Sequence, residues 1–174
     1  PTRILESGPA AGATEAARAM PGEERILSFD IGGTTAKACY ILEGRPLIEP
    51  QFEAARVHRH QAGSGLPLLV PVVDLIEIGA GGGSIARRDP LGLIQAGPDS
   101  AGADPGPVCY GQGGSQPTVT DADLVLGHLD PDAFAAGTMR LDVAAARQAL
   151  GGLAGDPEEA AWAVRQAIDE DMVE

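Results

Sequence analysis

The stretch "SFDIGGTTAKACY", residues 28–40, is the most informative part of the sequence for the fold. It also raises the question of whether its turn only connects two strands or binds a ligand. An apolar run ends at Asp30, a turn follows, and apolar alternation then resumes, which predicts two strands joined by a tight hairpin. Glycine leaves room for an anion to reach backbone N–H groups, and threonine hydroxyls add donors. From spacing alone, a plain hairpin and a phosphate-binding hairpin are equally good interpretations. The turn residues are Gly32, Gly33, Thr34 and Thr35.

A second glycine-rich segment, "IEIGAGGGSIA", covers residues 76–86. Four of the five positions from 79 to 83 are glycine, which is more than a turn needs. Either a ligand or another backbone segment must therefore come close to it. A close-packed hairpin or bulge is the purely structural interpretation.

A long segment without periodicity, "GPDSAGADPGPVCYGQGG", covers residues 97–114. Irregular loops of this length are often functional. Cys109 is as consistent with a packed residue as with a nucleophile, because no histidine is adjacent to it. Thr120 is the predicted N-cap of a helix that starts at Asp121. The polar groups of this region are Asp99, Ser100, Asp104, Asp121 and Asp123.

Helical patterns lie at both ends of the chain, and strand patterns lie between them. One helix is predicted over residues 6–20 and three more over residues 121–129, 140–153 and 156–173. Strands followed by helices indicate an α/β or mixed α+β layout. We expect Phe134 and Trp162 to belong to the core.

The composition excludes several classes of protein. A formal net charge of −13 over 174 residues argues against a nucleic-acid groove or an anionic membrane surface, since both need clustered Lys and Arg. No apolar run approaches the ~20 residues of a membrane span. Cys39 and Cys109 fit no metal-site spacing, and His58 and His60 lack a nearby third ligand. We expect a cytoplasmic protein with reduced thiols and no nucleic-acid or membrane partner.

Five ordered motifs carry a resemblance to one family. They are "SGPAAG", "FDIGGTTAK", "GSGLP…IEIGAGGGSIA", "GPDSAGADPGPVCYGQGG" and "PTVTDADLVLG". Together they resemble the hydantoinase A/5-oxoprolinase family, which includes N-methylhydantoinase A subunits and acetone carboxylase β-subunits. The resemblance runs from about Glu6 to about Asp142. Because the chain has no initiator Met and stops inside a helical pattern, we expect a fragment of a longer polypeptide.

The resemblance implies a nucleotide-binding fold shared with actin, sugar kinases and heat-shock chaperone ATPases, in which ATP lies between two ribonuclease-H-like lobes. We therefore expect an α/β (mixed α+β) lobe, a mixed sheet flanked by helices, with "DIGGTT" as the second lobe's phosphate hairpin. Residues 1–174 are expected to form a single partial domain. Its strand- and glycine-loop-rich core would cover residues 1–130, and residues 131–174 would be a helical segment.

The resemblance also implies chemistry that depends on ATP and Mg²⁺. A cyclic amide carbonyl is activated by phosphorylation before ring opening, or a ketone is activated for carboxylation. Asp30 is assigned to Mg²⁺ and, with Thr34, to catalysis. Many relatives have aspartate where this chain has Lys37, so a phosphate contact and a solvent-facing role both stay open for that residue. The assigned cofactor contacts are Gly32, Gly33, Thr34, Thr35, Lys37, Gly81, Gly82, Gly83 and Ser84.

The expected partners are a small cyclic amide or ketone substrate and a second, hydantoinase B-type subunit. Two other classes of function stay open, namely a non-catalytic lobe that docks a partner and a small-molecule kinase of the same fold. The isolated fragment is expected to bind ATP weakly or not at all and to be inactive, because half of the cleft is missing.

Overall fold

The computed structural model describes residues 7–54 and 65–173, which fall into two compact units. The first unit takes in the described residues up to Asp30 and those from Lys37 to Glu77. The second takes in residues 31–36 and those from Ile78 onward, so the turn of the first hairpin groups with the later part of the chain. The predicted single domain and its division at residue 130 stay predictions. His58 and His60 lie outside the described residues.

The first unit contains one helix, a small sheet and two further strand pairs. Its elements are α1 (Ser7–Ala19), β1 (Arg25–Ile31), β2 (Ala36–Leu42), β3 (Arg45–Pro46), β4 (Ile48–Glu49), β5 (Phe52–Ala54), β6 (Leu66–Leu68), β7 (Val72–Val73) and β8 (Ile76–Ile78). In the sheet, β2 lies between β1 and β3 and also pairs with β8. Strand β2 runs antiparallel to β3, and β4–β7 and β5–β6 are separate antiparallel pairs.

The core of the first unit forms where α1 meets the sheet. Ala13 is buried on the helix, and the partly buried Ala16 and Ala17 follow it at the i+3 and i+4 spacing of one helical face. Ile26, Cys39 and Ile41 are the buried sheet residues of the same cluster. Small alanine side chains let the helix pack closely, which is why a core with few aromatic residues is sufficient here.

The second unit combines an antiparallel strand pair with three α-helices. Its elements are β9 (Ser84–Arg88), β10 (Ile94–Ser100), α2 (Val119–Val125), α3 (Val143–Ala154) and α4 (Pro157–Val173). Two short 3-10 helices cover Val108–Tyr110 and Phe134–Gly137. Strands β9 and β10 pair with Ile94 opposite Arg88, and the register shifts between Ala96 and Ser100.

Helices α2, α3 and α4 pack together and against the strand pair to form the core of the second unit. Leu150, Val164 and Ile168 are fully buried in this cluster, surrounded mainly by alanines. The N–H of Glu159 donates to the Asp156 carboxylate at 2.8 Å, as expected for a helix that begins with Asp-Pro. In the described part of the chain, no helix is both long enough and apolar enough to cross a bilayer.

Two local predictions were wrong. Helix α2 begins at Val119, and its N-cap is Thr118 rather than Thr120. Trp162 is not a core residue, because 62% of it is exposed.

Candidate functional site

The turn of the first hairpin presents backbone donors to solvent. Gly32, Gly33 and Thr34 are exposed, and Thr35 is half-buried. The Gly32 N–H closes the turn by donating to the Thr35 carbonyl oxygen at 2.9 Å. Within the described part of the chain, no group accepts a hydrogen bond from the N–H of Gly33, Thr34 or Thr35. These donors, with the threonine hydroxyls, are therefore available to an anion.

The second glycine segment packs against this turn, backbone to backbone. The Gly82 N–H donates to the Gly32 carbonyl oxygen at 3.0 Å, and the Gly83 N–H donates to the Gly33 carbonyl oxygen at 2.6 Å. A Cβ at Gly81 would lie 2.7 Å from the carbonyl oxygen of Gly32. Glycine is needed in this segment because another backbone approaches it closely, which is one of the two interpretations that the sequence left open.

Ser84 completes the second segment. Its hydroxyl is fully buried and accepts a hydrogen bond from the Gly81 N–H at 2.9 Å. Its own N–H donates to the Gly81 carbonyl oxygen at 3.0 Å. All four N–H groups from residue 81 to residue 84 therefore donate within the chain. The prediction that these residues contact the cofactor stays a prediction, and their hydrogen bonds show that they support the hairpin.

Two further segments hold the second glycine segment in place. The Gly82 carbonyl oxygen accepts two hydrogen bonds from Thr120, one from its N–H and one from its hydroxyl, each 2.8 Å long. The Ala101 N–H donates to the Gly83 carbonyl oxygen at 2.8 Å. The Ser100 hydroxyl reaches the Gly33 carbonyl oxygen at 3.4 Å. Hydrogen bonds thus join four parts of the sequence, namely the hairpin turn, the second glycine segment, residues 100–101 and Thr120.

A buried carboxylate fastens the long irregular loop to α2. Asp121 is fully buried, and its side chain accepts hydrogen bonds from the N–H groups of Val108, at 3.2 Å, and Cys109, at 2.8 Å. It also accepts from the N–H and the hydroxyl of Thr118, at 2.8 and 2.9 Å. The Thr118 hydroxyl in return caps the helix, so the pair forms a capping box. Sequence reasoning missed this role, although the T-x-x-D spacing carries the signal.

Cys109 is a packed residue of this loop. Both cysteines are free and buried. Burial, together with the nearby charge of Asp121, raises the pKa of the Cys109 thiol. Burial likewise raises the pKa of Cys39. Thiols held neutral in this way are poor nucleophiles, so the geometry does not support a catalytic cysteine.

Asp30 and Lys37 belong to the first unit. Asp30 is exposed near the end of β1. Lys37 does not face solvent, since its side chain is only 15% exposed and lies 3.8 Å from the Glu77 carboxylate. Among residues 7–54 and 65–173, no three His, Cys, Asp or Glu side chains are close enough to hold a metal ion.

Comparison with known proteins gives matches along the whole chain. The model of the hydantoinase/oxoprolinase family matches residues 1–174. An uncharacterised protein of Methanocaldococcus jannaschii is 45% identical over 159 residues, which are 88% of this chain and 23% of that protein. The caprolactamase subunit alpha of Pseudomonas jessenii is 40% identical over 136 residues, which are 78% of this chain and 18% of that subunit. The chain thus spans about a fifth of these curated relatives.

Two solved structures resemble the fold. A nucleotide-free structure of acetone carboxylase, an enzyme of ATP-dependent acetone carboxylation, aligns with a TM-score of 0.75 and 33% identity over 92% of this chain and 22% of that one. The ATP-dependent caprolactamase of Pseudomonas jessenii aligns with a TM-score of 0.73 and 35% identity over 95% of this chain and 24% of that one. The predicted α/β fold of the actin-like ATPase type is therefore confirmed.

Proposed function

The chain belongs to the hydantoinase/oxoprolinase family, and from this premise we propose that its parent protein uses ATP to activate a cyclic amide before hydrolysing it. The observation that carries this proposal is the hairpin turn at residues 32–35, in which the N–H groups of Gly33, Thr34 and Thr35 have no acceptor in the described part of the chain and a second backbone segment supports the turn. The similarity to an ATP-dependent caprolactamase supports the cyclic amide as the substrate class.

The hairpin suits the phosphates of ATP. The N–H groups of Gly33, Thr34 and Thr35 and the two threonine hydroxyls form a set of donors without internal partners. Such a set binds phosphate oxygens through main-chain dipoles and needs no basic side chain. The support from Gly82 and Gly83 keeps these donors in one arrangement, so little ordering is needed on binding.

We assign Asp30 to Mg²⁺. Mg²⁺ is commonly held by one or two carboxylates together with phosphate oxygens and water, so a single exposed aspartate fits this role. Lys37, whose ammonium group lies 3.8 Å from the Glu77 carboxylate, is proposed to contact phosphate as a point charge. When bound, ATP supplies a phosphoryl group that gives the amide carbonyl carbon a good leaving group. The residues of this chain position and neutralise the phosphates while that happens.

A ketone carboxylase is the second candidate. The similarity to acetone carboxylase favours it, because that enzyme carries out ATP-dependent carboxylation of a ketone. Relatives named as subunits, including caprolactamase subunit alpha, support the proposal that a second, hydantoinase B-type subunit completes the enzyme. The use of ATP and the two free cysteines agree with a cytoplasmic protein.

The substrate is tested on the full-length protein with its second subunit. The protein is given Mg²⁺, ATP and a panel of cyclic amides, or of ketones with bicarbonate, and ADP and organic products are measured. We expect ATP hydrolysis that depends on a cyclic amide and yields the ring-opened product. Carboxylation of ketones alone would select the second candidate, and a stable phosphorylated product would indicate a kinase instead.

The site is tested in the same protein with the double variant Asp30→Ala, Thr34→Ala. We expect kcat/KM for ATP to fall at least about 100-fold, since charge-stabilising donors typically have effects of this size. The matched control replaces Thr14 and Asp132, an exposed threonine and an exposed aspartate elsewhere, with alanine. Near-normal turnover by the double variant would refute the assignment.

A further inference from the structure

We propose that Thr120 is a positioning residue for the phosphate hairpin. It acts through two peptide groups, Gly82–Gly83 and Gly33–Thr34, and is part of neither. This inference rests on the proposed function, because it takes the hairpin N–H groups to be the phosphate donors. Thr120 is buried, and both its N–H and its hydroxyl donate to the carbonyl oxygen of Gly82 at 2.8 Å.

The hydrogen bonds form a relay that starts at Thr120. The Gly82 carbonyl group and the Gly83 N–H belong to one planar trans peptide, so they point in opposite directions. The Gly83 N–H donates to the Gly33 carbonyl oxygen at 2.6 Å. That carbonyl shares the next peptide with the Thr34 N–H, which has no acceptor in the described chain. The relay therefore ends on an exposed donor of the turn.

A second relay runs parallel to the first. The Ser84 N–H donates to the Gly81 carbonyl oxygen at 3.0 Å, and the Gly82 N–H of that peptide donates to the Gly32 carbonyl oxygen at 3.0 Å. The Gly32 carbonyl shares its peptide with the N–H of Gly33, again a donor without an internal acceptor. Two neighbouring exposed N–H groups are thus each the end of a hydrogen-bonded chain of peptides.

Hydrogen-bonded peptides polarise one another, so a carbonyl that accepts strongly makes the N–H of the same peptide a better donor. The relay from Thr120 differs from the second relay in having a side-chain hydroxyl as an additional donor at its start. Thr120 therefore fixes the direction of the Thr34 N–H and strengthens it as a donor to a phosphate oxygen. It touches neither the phosphate nor the hairpin.

The test compares Thr120→Val with Thr120→Ser in the full-length enzyme. Valine keeps the shape and removes the hydroxyl, whereas serine keeps the hydroxyl. The lost hydrogen bond is present with and without ATP, so only its polarising effect on the Thr34 donor changes the affinity. We expect Thr120→Val to raise the Kd for Mg·ATP, measured by calorimetry, and the KM for ATP by about twofold, less than the loss of a direct hydrogen bond to phosphate would. The Tm should fall slightly because a buried hydrogen bond is removed, the KM for the amide substrate should change little, and Thr120→Ser should bind Mg·ATP like the wild type.

The matched control is Thr138→Val, which removes an exposed hydroxyl that donates to the Ala135 carbonyl oxygen at 2.7 Å. If the valine variant does not fold, Thr120→Ser and Thr120→Ala form a second pair that differs by the same hydroxyl. Equal Kd values within the folded pair, or a fall in Tm with no change in the KM for ATP, would overturn the inference alone. A wild-type enzyme that binds no Mg·ATP would overturn the proposed function and the inference with it.

Discussion

At Gly33 an added Cβ would meet no atom within 4 Å, whereas at Gly81 it would lie 2.7 Å from the Gly32 carbonyl oxygen. The two glycine segments touch each other, yet the close backbone approach is at Gly81 and the open space is at Gly33. The N–H groups of Gly33, Thr34 and Thr35 also have no acceptor within the described part of the chain. Glycine at residue 33 therefore leaves its own backbone open to a ligand. Glycine at residue 81 instead makes room for the backbone of the hairpin turn.

The largest effect is expected from Gly81→Ala. The new methyl group would lie within 3 Å of Gly32 and Gly33 backbone atoms, which side chains cannot relieve by rotating. We expect a loss of about 2–3 kcal/mol in the free energy of unfolding, measured with denaturant, and loss of Mg·ATP binding. Gly152→Ala is the matched control, because it adds a methyl group in open space on an exposed turn of α3 and should be neutral or stabilising. Equal stability of the two variants would show that the close backbone approach at residue 81 does not require glycine.

Ser84→Ala should have the next largest effect. It removes the buried acceptor of the Gly81 N–H and leaves that donor without a partner. Unfolding in denaturant should show a loss of about 1–2 kcal/mol, the usual cost of an unsatisfied buried group. A loss of Mg·ATP affinity without any loss of stability would instead mean that Ser84 contacts the nucleotide directly.

Gly33→Ala should change nucleotide affinity but not stability. The methyl group fits within the chain, so the free energy of unfolding should change by less than about 0.5 kcal/mol. The same methyl group would stand where a phosphate approaches, and we expect calorimetry to show at least about a tenfold rise in the Kd for Mg·ATP. Unchanged affinity would show that the open face of the turn is not used.

The smallest effect is expected from Ser100→Ala. Its hydroxyl is 3.4 Å from the Gly33 carbonyl oxygen, a long contact that adds little to the backbone hydrogen bonds already there, and it accepts a hydrogen bond from the partly buried Gly102 N–H at 3.1 Å. Stability should fall by at most about 1 kcal/mol, and nucleotide affinity should change by less than about 0.5 kcal/mol. A large loss of affinity alone would assign the loop around Ser100 to the ligand rather than to the support of the hairpin.

Local patterns predicted the strands and the hairpin, because alternation with period two and a glycine turn are encoded within a few residues. They failed at the start of α2, where Thr118 and Thr120 are both suitable N-cap residues. The observed N-cap is Thr118, and its partner in the capping box is Asp121. They failed at Trp162 because the buried face of α4 follows residues 161, 164 and 168, and position 162 lies to one side of it.

The contact between the two glycine segments could not be predicted from the sequence. Gly33 and Gly83 are hydrogen-bonded although 50 residues separate them. Glycine excess indicated that something approaches residues 79–83, but only the fold shows that it is the first hairpin. The same holds for Thr120, whose local pattern indicated an N-cap and whose observed partner is the Gly82 carbonyl group.

The central claim is that the first hairpin turn donates to phosphate while the second glycine segment only supports the turn. Its most direct test is a structure of the full-length protein with Mg²⁺ and a non-hydrolysable ATP analogue. Phosphate oxygens should lie within about 3 Å of the N–H nitrogens of Gly33 and Thr34. The Gly82 and Gly83 N–H groups should still donate to the hairpin carbonyls. Phosphate oxygens bonded to Gly82 and Gly83 instead, with those backbone hydrogen bonds broken, would contradict the account.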